Sequence, residues 1–368
     1  MPPPTRPSPD PVRWRPGRAR AAMLLLILVA SFVPASSAAD LRPLARTVGL
    51  HLIVGFDGTV APADLVRSVA AGDVAGVILF ARNVRSRAQV AALTRRLQAA
   101  RPPGDPPLLV MLDQEGGLVK RLPGPPAHSP AELGRIGDAG LARREGLATG
   151  RSLAGVGVNV DLAPVVDVGR PGTAMAQLGR SYSSDPAVVS RLGAAFAAGL
   201  TAGGAKATAK HYPGLGLARG NEDTGINRIA APLGVLHAVD EVPFAALARA
   251  GVGLIMVSTA RYPALDTAPA LFSRRIATDE LRGRTGFTGV SITDDLDTPA
   301  AAALGTPAAR ALAATRAGLD LLLFAQSQGD GAQGRRALIA AVRARQLDRP
   351  ALERSADRVL ALRRRLAG

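Results

Sequence analysis

The chain has 368 residues and 47% of them are hydrophobic, enough to bury a large core in one big α/β domain or two ordinary ones. Its net charge of +16 comes almost wholly from scattered arginine, aromatic residues make up only 3%, and no basic run is interleaved with aromatics, which argues against nucleic acid as a partner. No cysteine is present, which excludes disulfides, a lipid-modified Cys and thiolate metal sites.

Residues 1–39 read as a signal peptide. Arg13, Arg15, Arg18 and Arg20 form a basic stretch, residues 21–33 are apolar, and Pro34-Ala35-Ser36-Ser37-Ala38-Ala39-Asp40 offers small residues for cleavage after Ala38 or Ala39. The apolar stretch is shorter than the roughly 20 residues a transmembrane helix needs. An uncleaved anchor is the alternative. No Arg-Arg pair precedes the apolar stretch, so the general secretory route is expected rather than the twin-arginine one. The mature protein is expected to be secreted or held in the cell envelope, with no membrane span after signal removal, as one domain over residues 40–368.

Beyond the signal, short β-branched or Leu-rich runs alternate with longer Ala/Leu/Arg segments. The strand-like runs are 50–56, 74–80, 108–112, 158–162, 205–209, 254–257, 289–293 and 319–324. Between and after them, segments 87–100, 141–154, 186–202, 243–250, 307–317 and 350–366 repeat apolar residues three and four apart, the period of a helix. Buried-type strands alternating with helices imply a parallel sheet with helical crossovers. Eight such units predict a single α/β domain closed into a (β/α)8 barrel, with an open doubly wound sheet as the alternative.

In such a barrel the reactive groups stand at the C-terminal ends of strands. Asp113 follows the third run, Lys210 and His211 the fifth, and Asp294 and Asp295 the seventh. Only three of the 45 basic residues are lysines, Lys120, Lys206 and Lys210, and Lys210 stands beside one of only four histidines. A compact ammonium and a planar guanidinium are not interchangeable at a tight polar site, so Lys210 marks a place where the ammonium is required. Asp295 and Asp297, which precede Thr298-Pro299, read equally well as helix caps. Asp113 does not, because the paired Gly116-Gly117 after it suggest close backbone approach to a ligand.

These residues carry a resemblance. Asp113-Gln114-Glu115-Gly116-Gly117-Leu118-Val119-Lys120-Arg121 resembles the first signature of the glycoside hydrolase family 3 catalytic domain, in its β-N-acetylhexosaminidase branch. Asn159-Val160-Asp161-Leu162-Ala163-Pro164-Val165-Val166-Asp167-Val168, Gly179-Arg180-Ser181-Tyr182 and Lys210-His211-Tyr212-Pro213-Gly214 are similar to the next three. Tyr262-Pro263-Ala264-Leu265-Asp266 and Gly286-Phe287-Thr288-Gly289-Val290-Ser291-Ile292-Thr293-Asp294-Asp295-Leu296 complete the series, which spans residues 50–363. The resemblance implies a retaining glycosidase on a (β/α)8 barrel. It implies Asp294 as the nucleophile that forms a covalent glycosyl-enzyme, with Asp113, Arg121, Arg180, Lys210 and His211 binding the sugar hydroxyls. Those residue types suit sugar binding, because a carboxylate bridges vicinal hydroxyls while Arg and Lys donate to others, and their charge keeps Asp294 ionised.

The chain departs from the branch where the general acid belongs. In relatives a loop Asp-Ser-His after the lysine–histidine motif supplies that acid; here Thr224-Gly225 stands where Ser-His would be. Leu215 replaces another usual histidine, and the histidine expected near Thr259 is missing. Of the remaining histidines, His51 lies at the wrong end of its strand and His237 reads as a surface residue, while His128 follows the Asp113 loop. Asp223, or its neighbour Glu222, is the expected proton donor, provided burial raises its pKa; two solvated loop charges are the alternative.

The sequence therefore predicts an exported, monomeric, retaining β-glycosidase of the β-N-acetylhexosaminidase type. Its expected substrate is carbohydrate, N-acetylglucosamine-containing cell-wall fragments, and it needs no cofactor and no metal. A glycan-binding protein that kept the sugar subsite and lost efficient catalysis is the alternative.

Overall fold

The computed structural model describes residues 1–2, 42–220 and 225–366. The expected signal peptide, apart from its first two residues, and the loop carboxyls Glu222 and Asp223 lie outside the described residues. Eight parallel strands form one sheet: β1 (Leu52–Val54), β2 (Gly76–Ile78), β3 (Leu109–Leu112), β4 (Val160–Asp161), β5 (Lys206–Tyr212), β6 (Leu254–Val257), β7 (Val290–Thr293) and β8 (Leu322–Phe324). Their order is β8-β1-β2-β3-β4-β5-β6-β7, and a parallel bridge from Ile292 to Leu321 brings the two ends together. The sheet is a nearly closed (β/α)8 barrel, as the alternating pattern predicts, and the open doubly wound sheet is excluded.

Five of the eight strands, β1, β2, β3, β6 and β8, are apolar on both faces, as strands buried between helices and a filled barrel must be. Leu52 and Val54 of β1 pack outward under the helices, with Val77, Val110 and Leu112 of the neighbouring strands. Ile53 points the other way and meets Ile78, Met111, Val160, Leu254, Met256, Ile292 and Leu323 in the barrel interior. Val359 and Leu362 of the last helix, Arg349–Arg364, join this inner cluster and plug the barrel at the N-terminal ends of the strands. The C-terminal ends are left for polar residues.

The helices start where the sequence supplies caps. Asp185 accepts a hydrogen bond from the Ala187 amide and is followed by Pro186 at the first position of Pro186–Ala202; Thr306 and Pro307 open Pro307–Ala317 in the same way. Several ladders are shorter than the apolar runs predict: residues 50–56 pair only over Leu52–Val54, although Leu50 and Phe56 stay buried. Apolar burial extends past the paired waist of a barrel, so hydrophobicity overstates strand length there. β5 does the reverse. It runs on through Lys210 to Tyr212, because the backbone keeps pairing with β6 while the side chains turn polar at the barrel mouth.

Helices Ala139–Ala154 and Pro186–Ala202 approach until backbone meets backbone. A Cβ on Gly146 would lie 2.2 Å from the Phe196 carbonyl oxygen, and one on Gly199 would lie 2.2 Å from that of Arg143. Gly146→Ala is therefore expected to destabilise the fold by about 1–3 kcal/mol, even though alanine is the better helix former. Urea unfolding checks this; a stabilised variant would show that the helices separate freely.

Candidate active site

The six residues Asp113, Arg121, Arg180, Lys210, His211 and Asp294 line one cavity of about 300 Å³ at the C-terminal mouth of the barrel. Its floor is the top layer of the barrel interior, Ile78, Leu162, Met256 and Leu323. Asp113 and Asp294 each follow directly on the last residue of a strand, β3 and β7. The Asp294 amide continues the ladder by donating to the Val257 carbonyl at 2.9 Å, so its side chain starts from a fixed backbone.

Arg121 is placed by Gln114. Gln114 Oε1 accepts from the Arg121 and Leu122 amides, both at 3.0 Å, and its Nε2 donates to the carbonyls of Leu122 and Pro125, both at 2.9 Å. This clamp closes the hairpin of Gln114–Gly116 with Val119–Lys120. The paired glycines serve that turn and its packing, at φ 103° and 59°. A Cβ on Gly116 would lie 2.5 Å from the His128 carbonyl oxygen, and one on Gly117 would lie 2.8 Å from Ser129. Their close approach is thus to the chain itself, not to a ligand.

The Lys210 ammonium bridges Asp113 Oδ1 and Glu115 Oε1, each at 2.7 Å. Arg121 donates to Asp113 Oδ2 at 3.3 Å, and Arg180 grips Glu115 with Nε at 2.9 Å and Nη2 at 3.0 Å. Burial alone would raise the Asp113 pKa, but the charges of Lys210 and Arg121 outweigh it and hold the carboxyl at about 2. Glu115 is held below its ordinary value in the same way, by Lys210 and Arg180 against burial. Lys210 is raised, its own desolvation being outweighed by the two carboxylates. Asp161, buried beneath them, is pushed up to about 8 by desolvation and so stays protonated at neutral pH; its Oδ1 accepts from the Gln114 amide at 2.9 Å. The mouth therefore holds a fixed, alternating array of charge.

His211 is oriented by Asp167. The imidazole Nδ1 lies 2.8 Å from Asp167 Oδ2, while Asp167 Oδ1 accepts from the His211 amide at 3.2 Å and the Leu215 amide at 2.6 Å. A carboxylate facing Nδ1 fixes both the plane of the ring and its tautomer, with the proton on Nδ1. The peptides Lys210–His211 and Tyr212–Pro213 are both cis. Glu115 and Asp167 are the residues that strand-end reasoning passes over. The signal for Glu115 was the two-residue spacing from Asp113, which puts both carboxylates on one face of extended chain.

Asp295 and Asp297 also line the cavity, but neither caps the following helix. Thr298 does, its Oγ1 accepting from the Ala301 amide at 3.2 Å. The Asp295 oxygens accept from the Asp297 amide at 2.9 Å, the Ala325 amide at 3.0 Å and Gln326 Nε2 at 3.1 Å. His128 pairs with Glu145 Oε1 at 2.8 Å and does not line the cavity. His51 is buried ahead of β1, at the opposite end of the barrel, with Nδ1 2.7 Å from the Asp320 carbonyl oxygen. Gly220 and Asn227, on either side of residues 221–224, are tied together: Asn227 Oδ1 accepts from the Gly220 amide and its Nδ2 donates to the Gly220 carbonyl, both at 3.2 Å. Asp223 itself lies outside the described residues.

Residues 52–362 match the family described as "Glycosyl hydrolase family 3 N terminal domain". An "Uncharacterized secreted glycosyl hydrolase" of Arthroderma benhamiae is 34% identical over 356 residues, 93% of this chain and 99% of that one. A "Beta-hexosaminidase" of Chromobacterium violaceum is 40% identical over 258 residues, 68% of this chain and 71% of its own. The solved β-N-acetylhexosaminidase of Beutenbergia cavernae superposes with a TM-score of 0.81 at 33% identity, covering 88% of this chain and 99% of that structure. The family 3 β-N-acetylglucosaminidase from Paenibacillus gives 0.85 at 32%, covering 89% of this chain, which spans only 63% of that longer protein. The chain therefore belongs to glycosyl hydrolase family 3 and is a glycoside hydrolase acting on O-glycosyl compounds.

Proposed function

We propose that this hydrolase is an exported, monomeric, retaining β-glycosidase of the β-N-acetylhexosaminidase type, acting on N-acetylglucosamine-containing cell-wall fragments. The observation that carries the reading is the placement of Asp294 on the wall of the same small cavity as Asp113, Arg121, Lys210 and His211. The names of the Chromobacterium and Beutenbergia relatives support the sugar class, and the Arthroderma name, with the basic and apolar N-terminus, supports export. Among the described residues no helix is long and apolar enough to cross a membrane.

In this reading the ionised Asp113 accepts from sugar hydroxyls, and Arg121 and His211 complete the grip. Lys210 pairs with Asp113 and Glu115, and Arg180 with Glu115, so both also fix the carboxylates from the cavity wall. Asp294 attacks the anomeric carbon as the glycosidic C–O bond breaks, and the leaving oxygen takes a proton from the general acid. Water then attacks the same carbon, gives its proton to that acid's conjugate base and frees Asp294. Asp223, or Glu222 beside it, is the proposed acid, as the carboxyls of the loop that supplies the proton in this branch.

The test uses aryl N-acetyl-β-glucosaminides with good and poor leaving groups. The wild-type enzyme should turn over both. Asp223→Ala should lose most activity on the poor leaving group and little on the good one, since protonation matters only when the departing oxygen is basic. Equal loss on both, or none, would take Asp223 out of the chemistry. No turnover of either substrate by the wild type would leave a glycan binder as the better description.

A further inference from the structure

The crossovers after β5 and β6 bring three ligand-type side chains together on the outside of the barrel. His237 lies in a π-helical segment, Leu236–Asp240, with Glu241 immediately after it, and Glu280 lies in a second such segment, Arg275–Arg284. Widened π turns are rare and concentrate at functional positions. His237 Nε2 is 3.9 Å from Glu241 Oε1 and 3.3 Å from Glu280 Oε2, and one ligand atom from each residue falls within 4.8 Å of the others. None of the three lines the sugar cavity.

We propose that His237 Nε2, Glu241 Oε1 and Glu280 Oε2 form a binding site for one divalent transition-metal ion. A tetrahedral zinc ion holds nitrogen and oxygen ligands at about 2.0–2.2 Å, which spaces them roughly 3.4 Å apart, between the two distances seen here. One imidazole with two carboxylates suits zinc, cobalt or manganese rather than calcium or magnesium, which take oxygen ligands.

A second observation points into the same space. The Glu241 side chain is only 2% exposed, yet its Oε1 has no hydrogen-bond partner, and neither has His237 Nε2. A buried carboxylate oxygen left bare is costly, and a cation in this position would remove the cost. Arg284 supports the arrangement from behind: its Nε donates to Glu241 Oε2 at 3.0 Å and its Nη2 to the His237 carbonyl at 3.3 Å. One oxygen of Glu241 is thereby anchored and the other turned toward His237, the usual role of a residue behind a metal ligand. The local charge without an ion is two carboxylates against one guanidinium. His237 is a quarter exposed, which leaves room for water as the remaining ligand.

The experiment titrates untagged, EDTA-stripped full-length protein with Zn²⁺ against a chromogenic chelator, and with Co²⁺ by visible absorption. The wild type should bind one equivalent, show the intense d–d bands of a four-coordinate site, and gain thermal stability with Zn²⁺. Glu280→Gln and the double variant His237→Ala/Glu280→Gln should bind at least tenfold more weakly and lose both the bands and the shift. Their melting in EDTA should match that of the wild type, showing that they fold. Hydrolysis of an aryl glycoside should be unchanged by stripping, because the cluster stands apart from the cavity. If the wild type binds no tighter than the double variant, the proposal fails, and the cluster is an ion-pair network of His237 with Glu280 and Arg284 with Glu241.

Discussion

Replacing Asp294 by asparagine should lower turnover by several orders of magnitude, on the order of 10⁴-fold or more, while sugar binding stays measurable. The amide has the shape of the carboxylate and can still accept, through its oxygen, the 2.8 Å hydrogen bond from the Asp295 amide, so the strand end keeps its geometry. It cannot act as an anionic nucleophile. Asp295 is the rival, one residue along and on the same cavity wall, but its two oxygens already accept three hydrogen bonds, two of which tie the end of β7 to the strand end after β8. Burial also raises its pKa above the ordinary value. A fluorinated sugar that slows the second step should leave a glycosyl adduct on Asp294 in the wild type, read by peptide mass. An adduct on Asp295, or near wild-type turnover by Asp294→Asn, would overturn the assignment.

How much of this was legible in the sequence follows from which interactions are local. Alternation of apolar strands and helices is set by neighbours a few residues apart, so the eight strands and the barrel could be read directly, with errors only at ladder ends. Strand-end position then identified Asp113, Lys210, His211 and Asp294 as a converging set. The long-range pairings around that set were not legible. Glu115 meets Arg180 across 65 residues of chain, and Asp167 meets His211 across 44, and no local period encodes such pairings. Gly116 and Gly117 misled for a related reason: a positive φ says that the backbone turns sharply, not what it turns toward. His237 read as a surface residue because Glu280, which makes it interesting, lies on the next crossover. Lys210 was the exception, marked out by its rarity among arginines.

Lys210→Met should cost about 3–5 kcal/mol of folding stability at neutral pH, because it strands two buried carboxylates that share one ammonium. The cost should depend on pH, with a sign fixed by the direction of each shift. Asp113 titrates at about 2 in the folded protein, below its ordinary 3.8, so its share of the stability is present above about pH 4 and lost as pH falls toward 2. Lys210 is raised above its ordinary value, so its share is present below about pH 10 and lost only in strong alkali. The deficit of the variant should thus be greatest between about pH 4 and 10 and should shrink by pH 3, where the partner carboxylates begin to take up protons. Denaturant unfolding of both proteins at pH 7 and pH 3 measures this. A deficit equal at both pH values would mean that the loss is one of packing, not of charge. Lys210→Arg separates ammonium from charge alone. The side chain is only 3% exposed, and its nitrogen sits 2.7 Å from two different carboxylates, a spacing that a point charge with three donors fits and a planar fork does not. Arginine should therefore restore the charge yet recover little of the stability or the activity, since Asp113 and Glu115 would have to move apart to admit it. Full rescue by arginine would show that positive charge alone is what position 210 supplies.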